Sequence, residues 1–234
     1  MINIKRLFIA IITCSIFCST TTVLSQKINQ VDSEGKRTGV WKKNYANGKP
    51  RYEGTFLNGK EVGVFKFYEN NSSGIPHIVK EYSENSDVAL VKFFNYDGKL
   101  KTIGKMVGKD RVGEWKYYYT NGKIFSEENY VNGKLSGVLK NYYSNGNLTE
   151  ESQYRDGLKN GLTKIYTEDA ILIEETLYVN GKLNGAAKYY DLKGKIKESG
   201  VYEDGKRVGK WEFYIDGEVS KRPKRESHTI PKSN

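Results

Sequence analysis

The stretch from Gly113 to Gly137, GEWKYYYTNGKIFSEENYVNGKLSG, combines regularly spaced aromatic residues with two turn-forming pairs. It begins and ends on glycine, has aromatic residues at its third and sixth positions, and contains one Asn-Gly pair in the middle and one near the end. Asn-Gly tolerates the positive φ values of a tight type I′ turn, so each pair between aromatic and β-branched residues predicts a β-hairpin. The stretch therefore predicts strand, turn, strand, turn.

The same pattern recurs along the chain with a period of 24 residues. The units begin at Gly39, Gly63, Ala89, Gly113, Gly137, Gly161, Gly185 and Gly209. Only the interval from Gly63 to Ala89 differs, because residues 70–74 carry a short insertion at a predicted hairpin tip, where extra residues cost little. We count positions within a unit from these starting residues.

Turn-forming pairs occur at two places in the units. The mid-unit pairs are Asn47-Gly48, Asp97-Gly98, Asn121-Gly122 and Asn145-Gly146, and the unit-end pairs are Asn58-Gly59, Asn132-Gly133, Asp156-Gly157, Asn180-Gly181 and Asp204-Gly205. No segment shows the period of a helix of useful length. We therefore expect an all-β, elongated, single-layer antiparallel meander of about eight 24-residue β-hairpin repeats.

Large side chains form three columns along the repeat. The third position holds Trp41, Phe65, Trp115 and Trp211; the sixth holds Tyr68, Phe94, Tyr118, Tyr142, Tyr166, Tyr190 and Tyr214; the eighteenth holds Phe56, Tyr82, Tyr130, Tyr154, Tyr178 and Tyr202. Stacked units would place aromatic over aromatic and replace a two-layer core. We expect these columns to be structural.

The repeat also predicts strand register. A two-residue mid-unit loop places the fourth position opposite the fifteenth, and this pairs Lys42 with Glu53, Lys116 with Glu127, Lys140 with Glu151 and Lys164 with Glu175. Such cross-strand pairs offset the repulsion within the lysine column. On the other face Trp41 would lie across from Gly54, which leaves room for the indole.

The composition agrees with a repeat of this kind. The 234 residues include 24 Gly, 18 Tyr, 9 Phe and 3 Trp, with 37% hydrophobic and 28% charged residues. This chain is too aromatic for disorder and too rich in Tyr for a leucine-packed bundle. Beyond the first two dozen positions no apolar run is long enough for a membrane-spanning helix, which excludes a polytopic membrane protein.

The N-terminus has the pattern of a secretory signal peptide. Lys5 and Arg6 precede the apolar stretch 7–17, and polar residues follow, so we predict cleavage before Gln26 and export to the periplasm, the cell surface or the medium. Cys14 follows Thr13 and Cys18 follows Phe17, so neither cysteine has the small preceding residue of a lipoprotein site. The mature chain would contain no cysteine, and therefore no disulfide or thiolate ligand.

These signals divide the chain into four parts. They are a signal peptide at 1–25, an N-terminal lead-in at 26–34, the repeat domain at 35–218 and a basic disordered tail at 219–234. The formal charge of +10 falls to +8 on cleavage. The tail contributes half of what remains, so the repeat domain is only mildly basic.

Catalysis, cofactors and metals are not expected. The histidines are His77 and His228, too few for a His-based triad or a His-rich metal site. The glutamates recur at equivalent positions, which indicates a structural ladder rather than the singular carboxylate pair of a glycosidase. Export also argues against nucleic acid as a partner.

The consensus Gly-x-Trp-x-x-Tyr-x-x-Asn-Gly, a Glu-bearing strand and then Tyr-x-Asn-Gly-Lys-x-x-Gly resembles the bacterial variety of the MORN repeat over about residues 35–217. Such repeats occur in the YwqK-type antitoxin family, and eukaryotic MORN repeats are implicated in protein scaffolding and lipid contact. The chain departs from the pattern at Asn85, Ala89, Ala170 and the 70–74 insertion.

Three functional hypotheses follow. The first is a non-enzymatic, exported protein-binding or scaffold module that uses its long face or its irregular units. The second, implied by the resemblance alone, is an antitoxin or immunity-type protein that neutralises a toxin. The third is cell-envelope attachment, in which lysines at the turns contact anionic lipid or polysaccharide. Stacking of sugars on the aromatic columns is a further alternative. We expect a monomer or weak end-to-end association, with the strand after Gly209 as the contact.

Overall fold

The computed structural model describes residues 27–83 and 86–220, and the part of the chain it describes contains strands and no helix. The strands are β1 (Gln30–Val31), β2 (Arg37–Asn44), β3 (Pro50–Leu57), β4 (Lys60–Phe67), β5 (Ile78–Tyr82), β6 (Val88–Phe94), β7 (Leu100–Val107), β8 (Asp110–Tyr118), β9 (Ile124–Val131), β10 (Lys134–Leu135), β11 (Gly137–Tyr142), β12 (Leu148–Arg155), β13 (Leu158–Tyr166), β14 (Leu172–Val179), β15 (Lys182–Tyr190), β16 (Ile196–Glu203), β17 (Lys206–Ile215) and β18 (Glu218–Ser220). The predicted signal peptide, Asn85 and His228 lie outside the described residues.

Apart from β10, each strand pairs in antiparallel fashion with the next one along the chain. The pairs run from β1–β2 through β8–β9 and from β11–β12 to β17–β18, and the two short pieces β10 and β11 both pair with β9. The result is one open sheet with the connectivity of a meander. The predicted all-β, single-layer hairpin repeat is confirmed.

The predicted register is also observed. Lys42 lies opposite Glu53, Lys116 opposite Glu127, Lys140 opposite Glu151, Lys164 opposite Glu175, and Trp41 opposite Gly54. The assumption behind that register, a two-residue mid-unit loop, is wrong.

The mid-unit turn has three loop residues. In the first unit the Tyr45 amide donates to the Lys49 carbonyl (2.8 Å) and the Gly48 amide donates to the Tyr45 carbonyl (3.0 Å). Gly48 has a φ of 81°, whereas Asn47 keeps a negative φ and its side-chain oxygen accepts from the Lys49 amide (3.1 Å). This loop moves the pairing by one residue, and a β-bulge next to Asn44 moves it back. The two irregularities cancel, so the predicted pairs still form.

The unit-end turns are the predicted two-residue turns. Leu57 pairs with Lys60 around Asn58 and Gly59, whose φ values are 51° and 79°. Two positive φ values in succession define a type I′ turn, which favours Asn-Gly and Asp-Gly.

The starting glycine of a unit forms a second bulge. Thr55 pairs with Val62 and Glu53 pairs with Lys66, so Gly63 and Val64 are extra residues on β4. Gly63 has a φ of 64°, a conformation that costs a residue with a Cβ atom about 1–2 kcal/mol.

Ala89 departs from the repeat because its strand pair is regular. Tyr82 pairs with Ala89 and the β5–β6 register contains no shift, so no positive φ is needed there.

Both ends of the sheet carry a short additional strand. In the lead-in, Gln30 pairs with Thr38 of β2. At the other end, the predicted lone strand after Gly209 is wrong, because a two-residue turn at Asp216 and Gly217 returns the chain as β18, which pairs with Phe213–Ile215. The predicted limit of the repeat domain at residue 218 falls inside β18.

Ala170 offers a test of the turn assignment. It replaces the mid-unit glycine of its unit and has a φ of 61°. Substituting Ala170→Gly should therefore raise the unfolding free energy by about 0.5–1 kcal/mol, because it removes the Cβ strain at some cost in chain entropy. Urea unfolding measures the change. Ala46→Gly is the control: Ala46 lies in the equivalent turn with a negative φ, so the same substitution there should give no gain, and equal gains at both sites would contradict the assignment.

Candidate functional site: the two faces of the sheet

The third and eighteenth positions lie on the same face of the sheet, which we call the aromatic face. Trp115 and Phe65 are fully buried, with 0% and 1% of their surface exposed. Edge-to-face ring contacts join the two columns, with centroid distances of 5.8 Å between Trp41 and Phe56, 6.3 Å between Trp115 and Tyr130, and 5.1 Å between Tyr202 and Trp211. Tyr82, Tyr154 and Tyr178 are half-buried on this face. These rings therefore bury one another within one layer.

Three of the four third-position rings, those of Phe65, Trp115 and Trp211, lie over a glycine of the preceding strand. A methyl group on Gly104 would lie 2.2 Å from the Trp115 ring, and one on Gly54 would lie 2.4 Å from Phe65. The space at Gly54 is thus filled by Phe65 and not, as the sequence suggested, by Trp41. The space above Gly54 is filled by a side chain of the following unit because the bulge at Gly63 shifts β4 relative to β3.

Where the third position is small, its neighbour is larger. Thr163 lies opposite Ser152 and Ala187 opposite Thr176, and all four side chains are buried. The Ser152 and Thr163 hydroxyls share a hydrogen bond of 3.0 Å. We did not predict this relation from the sequence. It is visible in the sequence when the sixteenth position of a unit is compared with the third position of the next unit: a large residue at one goes with a small residue at the other.

Cations also lie on the aromatic face. The Arg111 guanidinium lies 4.6 Å from the centroid of Trp115 and donates to the hydroxyls of Tyr117 (2.7 Å) and Tyr130 (3.0 Å). Arg207 lies 4.1 Å from the centroid of Trp211 and forms an ion pair with Glu198. The equivalent residues are Arg37 and Lys159. Sequence reasoning did not single these cations out.

The carboxylates on this face have specific partners. Glu150 forms a 2.8 Å ion pair with Lys159 and accepts a hydrogen bond from Ser152 (2.6 Å). Burial alone would raise the pKa of Glu150, but the hydrogen bonds from Lys159 and Ser152 outweigh it and keep the pKa below its ordinary value. These contacts give the carboxylate a structural role.

The sixth-position column lies on the opposite face, together with the Lys–Glu pairs, and we call this the charged face. The Tyr142 hydroxyl donates to Glu127 (2.7 Å) and the Tyr68 hydroxyl donates to Glu53 (2.9 Å). Burial and the bond to Glu127 raise the pKa of Tyr142 to about 12. Phe94, Tyr118, Tyr166, Tyr190 and Tyr214 are half-buried members of the same column. The three columns thus divide between two faces.

The charged face carries an exposed apolar patch in its C-terminal half. Leu162 pairs with Leu177, and Ala186 and Val208 both pair with Val201, so these apolar residues lie on one face of β13–β17. Between β14 and β15 the Leu177 side chain lies against Gly185, which precedes Ala186. Leu177 is 37% exposed and Val201 46%. We call the five apolar residues the apolar patch. In the central units charged or polar residues take the places of these apolar residues, since Glu114 pairs with Asn129.

The mid-unit turns form one margin of the sheet. Tyr45, Tyr119 and Tyr143 each donate a hydroxyl hydrogen bond to the backbone carbonyl of the sixth position in the next unit, at 2.7–3.0 Å. The unit with the 70–74 insertion has Glu69 at the position of these tyrosines. The insertion lines a cleft of about 240 Å³, where the Tyr96 hydroxyl donates to Glu69 at 2.8 Å and His77 lies 3.4 Å from the same carboxylate. This cleft distinguishes the irregular unit from its neighbours.

Most lysines at the turns have partners. Ion pairs join Lys36 to Glu34, Lys60 to Asp87, Lys99 to Asp97, Lys182 to Asp204 and Lys195 to Asp216, and Lys49 and Lys123 donate to backbone carbonyls. Because of this pairing, the margins carry less free positive charge than the lysine count indicates.

Residues 27–83 and 86–220 contain no group of three or more His, Cys, Asp or Glu side chains placed to hold a metal ion. Within the same residues no helix is long and apolar enough to cross a membrane.

The Tyr142–Glu127 contact predicts a pH dependence. The hydrogen bond from Tyr142 and the contacts with Lys116 hold the pKa of Glu127 below its ordinary value of 4.5. A lowered pKa stabilises the fold above the ordinary value, and this contribution disappears as the pH falls through the folded-state pKa. Glu127→Gln should therefore lower the unfolding free energy at about pH 7 by on the order of 1 kcal/mol, and the difference should shrink in acid.

Urea unfolding between about pH 7 and pH 2.5 measures this difference. Glu114→Gln is the control, since Glu114 also contacts Lys116 (3.3 Å) but is far more exposed than Glu127. It should show a smaller effect. A difference for Glu127→Gln that does not change with pH would contradict the assignment.

Comparison with known proteins agrees with the repeat. The model of the MORN repeat variant matches residues 37–58, 111–132, 135–156 and 183–206. No curated protein matches the chain. Among solved structures, a mutant of S. aureus TarM in complex with Fondaparinux, alpha-GlcNAc-glycerol and UDP matches at 8% identity over 62% of this chain and 21% of that chain, with a TM-score of 0.21. The four matched stretches each span a hairpin of the meander, so four of its units are similar to the MORN repeat variant.

Proposed function

We propose that this protein is an exported, non-enzymatic scaffold or binding module that docks another protein on the apolar patch of its charged face. The apolar patch is the observation that carries the proposal. Contiguous apolar surface bordered by polar residues marks protein interaction sites, whereas singly exposed apolar residues are ordinary.

The surroundings of the patch suit a protein partner. The patch spans five strands, so it is about 20 Å long. On one side it borders the ladder formed by Lys164, Glu175 and Lys188, which alternates in charge. A partner would bury the apolar patch at the centre and meet charges of both signs at the rim, as in ordinary protein interfaces.

The other surfaces give less support. The aromatic face is occupied by its own contacts, since the cations and carboxylates on it pair with each other and with the tyrosines. Paired lysines at the margins weaken the case for attachment to an anionic envelope surface. Export rests on the leader with Lys5, Arg6 and the apolar stretch 7–17.

Site-specific photo-crosslinking in the source cells tests the proposal. A photoreactive residue at Leu177 should capture one defined protein that mass spectrometry identifies. Val64 is the matched control, because it has the unit's second position on the same face and is 51% exposed, but it pairs with Glu81 instead of an apolar residue. It should give no such adduct.

A charge in the patch should abolish capture. With the photoreactive residue at Val201, Leu177→Asp should remove the adduct from a variant that circular dichroism shows to be folded, because Leu177 is 37% exposed and lies outside the buried core. Equal adducts at Leu177 and Val64, or none at either, would refute docking on the patch. If the captured protein is a toxin, co-expression then tests the narrower antitoxin hypothesis.

A further inference from the structure

The two ends of the sheet differ in how their outer edges are covered. At the N-terminal end β1 pairs with β2, the Asn29 amide donates to the Val40 carbonyl (2.9 Å), and the Asn29 side chain accepts from the Lys42 amide (2.8 Å). At the C-terminal end β18 pairs with the last three residues of β17. Within the described residues no strand pairs with the outer edge of β17 between Arg207 and Glu212. An open edge of this kind is a template for another strand.

Earlier units show which backbone groups this edge leaves open. The carbonyls of Arg37, Arg111, Leu135, Lys159 and Leu183 each accept from the glycine of the next unit-end turn, at 2.8–3.1 Å. Arg207 has the same position, but up to residue 220, where the described part of the chain ends, no unit-end turn donates to its carbonyl. In the first unit the Arg37 carbonyl, Gly39 and Trp41 face the following strand β3, so the backbone groups of the equivalent Arg207, Gly209 and Trp211 point to the outer edge of β17.

We propose that two copies of this chain associate through β17, which pairs with β17 of the second copy as antiparallel strands about a two-fold axis at Gly209. Gly209 then faces Gly209, and Arg207 faces Trp211 of the second copy. In this register the three residues of each copy whose backbone groups point outward lie opposite the same three residues of the other copy, so their N–H and C=O groups can form hydrogen bonds. The inference is independent of the partner proposed for the apolar patch.

Charge selects this register. With the axis at Gly209, Lys206 lies opposite Glu212 of the second copy, and symmetry makes this pair twice. Moving the axis to Lys210 places Lys210 against itself, and moving it to Val208 places Lys206 against Lys210. Opposite charges directly across two strands stabilise the pairing and like charges destabilise it.

Glu212 is the exception in its column. The fourth position holds Lys42, Lys66, Lys92, Lys116, Lys140, Lys164 and Lys188 in the preceding units. The acidic residue therefore stands on β17, beside the edge that no described strand covers between Arg207 and Glu212, where a lysine would repel Lys206 of a second copy. Its carboxylate accepts from the Tyr214 hydroxyl (2.8 Å) and so lies ordered beside the edge.

The assembly would close at two copies. Each copy uses its open C-terminal edge, and the N-terminal edges stay covered by β1 and Asn29. A two-fold contact of identical strands is isologous, so the open edge of each copy is used once and the contact does not repeat. Val208 belongs to the apolar patch, so the patches of the two copies would adjoin across the axis.

Sedimentation equilibrium of residues 26–234 tests the proposal. The unmodified chain should be a dimer, and Glu212→Lys should raise the dissociation constant about tenfold or more, because it places two like-charge pairs at the contact. Adding Lys206→Glu should restore the dimer. Glu218→Lys is the matched control: it makes the same charge change in the same hairpin, away from the open edge, and should leave the dimer unchanged. Circular dichroism confirms that each variant folds.

A disulfide checks the register directly. The chain after residue 18 contains no cysteine, so Lys206→Cys with Glu212→Cys should give a covalent dimer on oxidation. A monomer at about 100 µM, a dimer unaffected by Glu212→Lys, a polymer, or no covalent dimer would each overturn the proposal. The proposal would also be overturned if the protein were a monomer with residues 221–234 present and a dimer without them. Its own C-terminal residues would then be what occupies the edge of β17.

Discussion

The fold depends on one contact, in which the third-position side chain of a unit packs over a small residue of the preceding strand. A single-layer sheet has no second layer to bury its side chains, so burial must come from neighbours within the layer. Trp115 over Gly104 and Trp211 over Gly200 are the largest examples. Each contact joins one hairpin to the next, which is how repeat proteins turn units that are unstable alone into a continuous structure.

This contact explains why the aromatic face stabilises the fold while positions on the charged face can vary. On the aromatic face the rings, the guanidinium groups and the carboxylates contact one another, so these side chains stabilise the fold. The charged face needs only the pairing of its Lys–Glu ladder and tyrosines, and its remaining positions are free to vary. Valine and leucine occupy them in the C-terminal half, near the strand whose edge is open. Both proposed interactions therefore lie at one end of the molecule.

The sequence was sufficient for the repeat, the strands and the Lys–Glu register, because turn residues and alternation are local signals. It did not reveal the compensating bulges, since a three-residue loop at Gly48 and a shift next to Asn44 leave no net trace in the pairing. The split of the columns between faces follows from alternation. By contrast, the placement of Phe65 on Gly54 depends on the bulge at Gly63, which is a three-dimensional effect. β18 was missed because its strand is short.

A double-mutant cycle at Gly104 and Trp115 tests the central contact most directly. Gly104→Ser with Trp115→Thr copies the Ser152–Thr163 pair that occurs two units further along. Each single substitution should be strongly destabilising, by about 3 kcal/mol for Trp115→Thr, because one crowds the ring and the other leaves a cavity. The double variant should lose about 1–3 kcal/mol less unfolding free energy than the two single variants lose together. Additivity within about 0.5 kcal/mol would contradict this prediction.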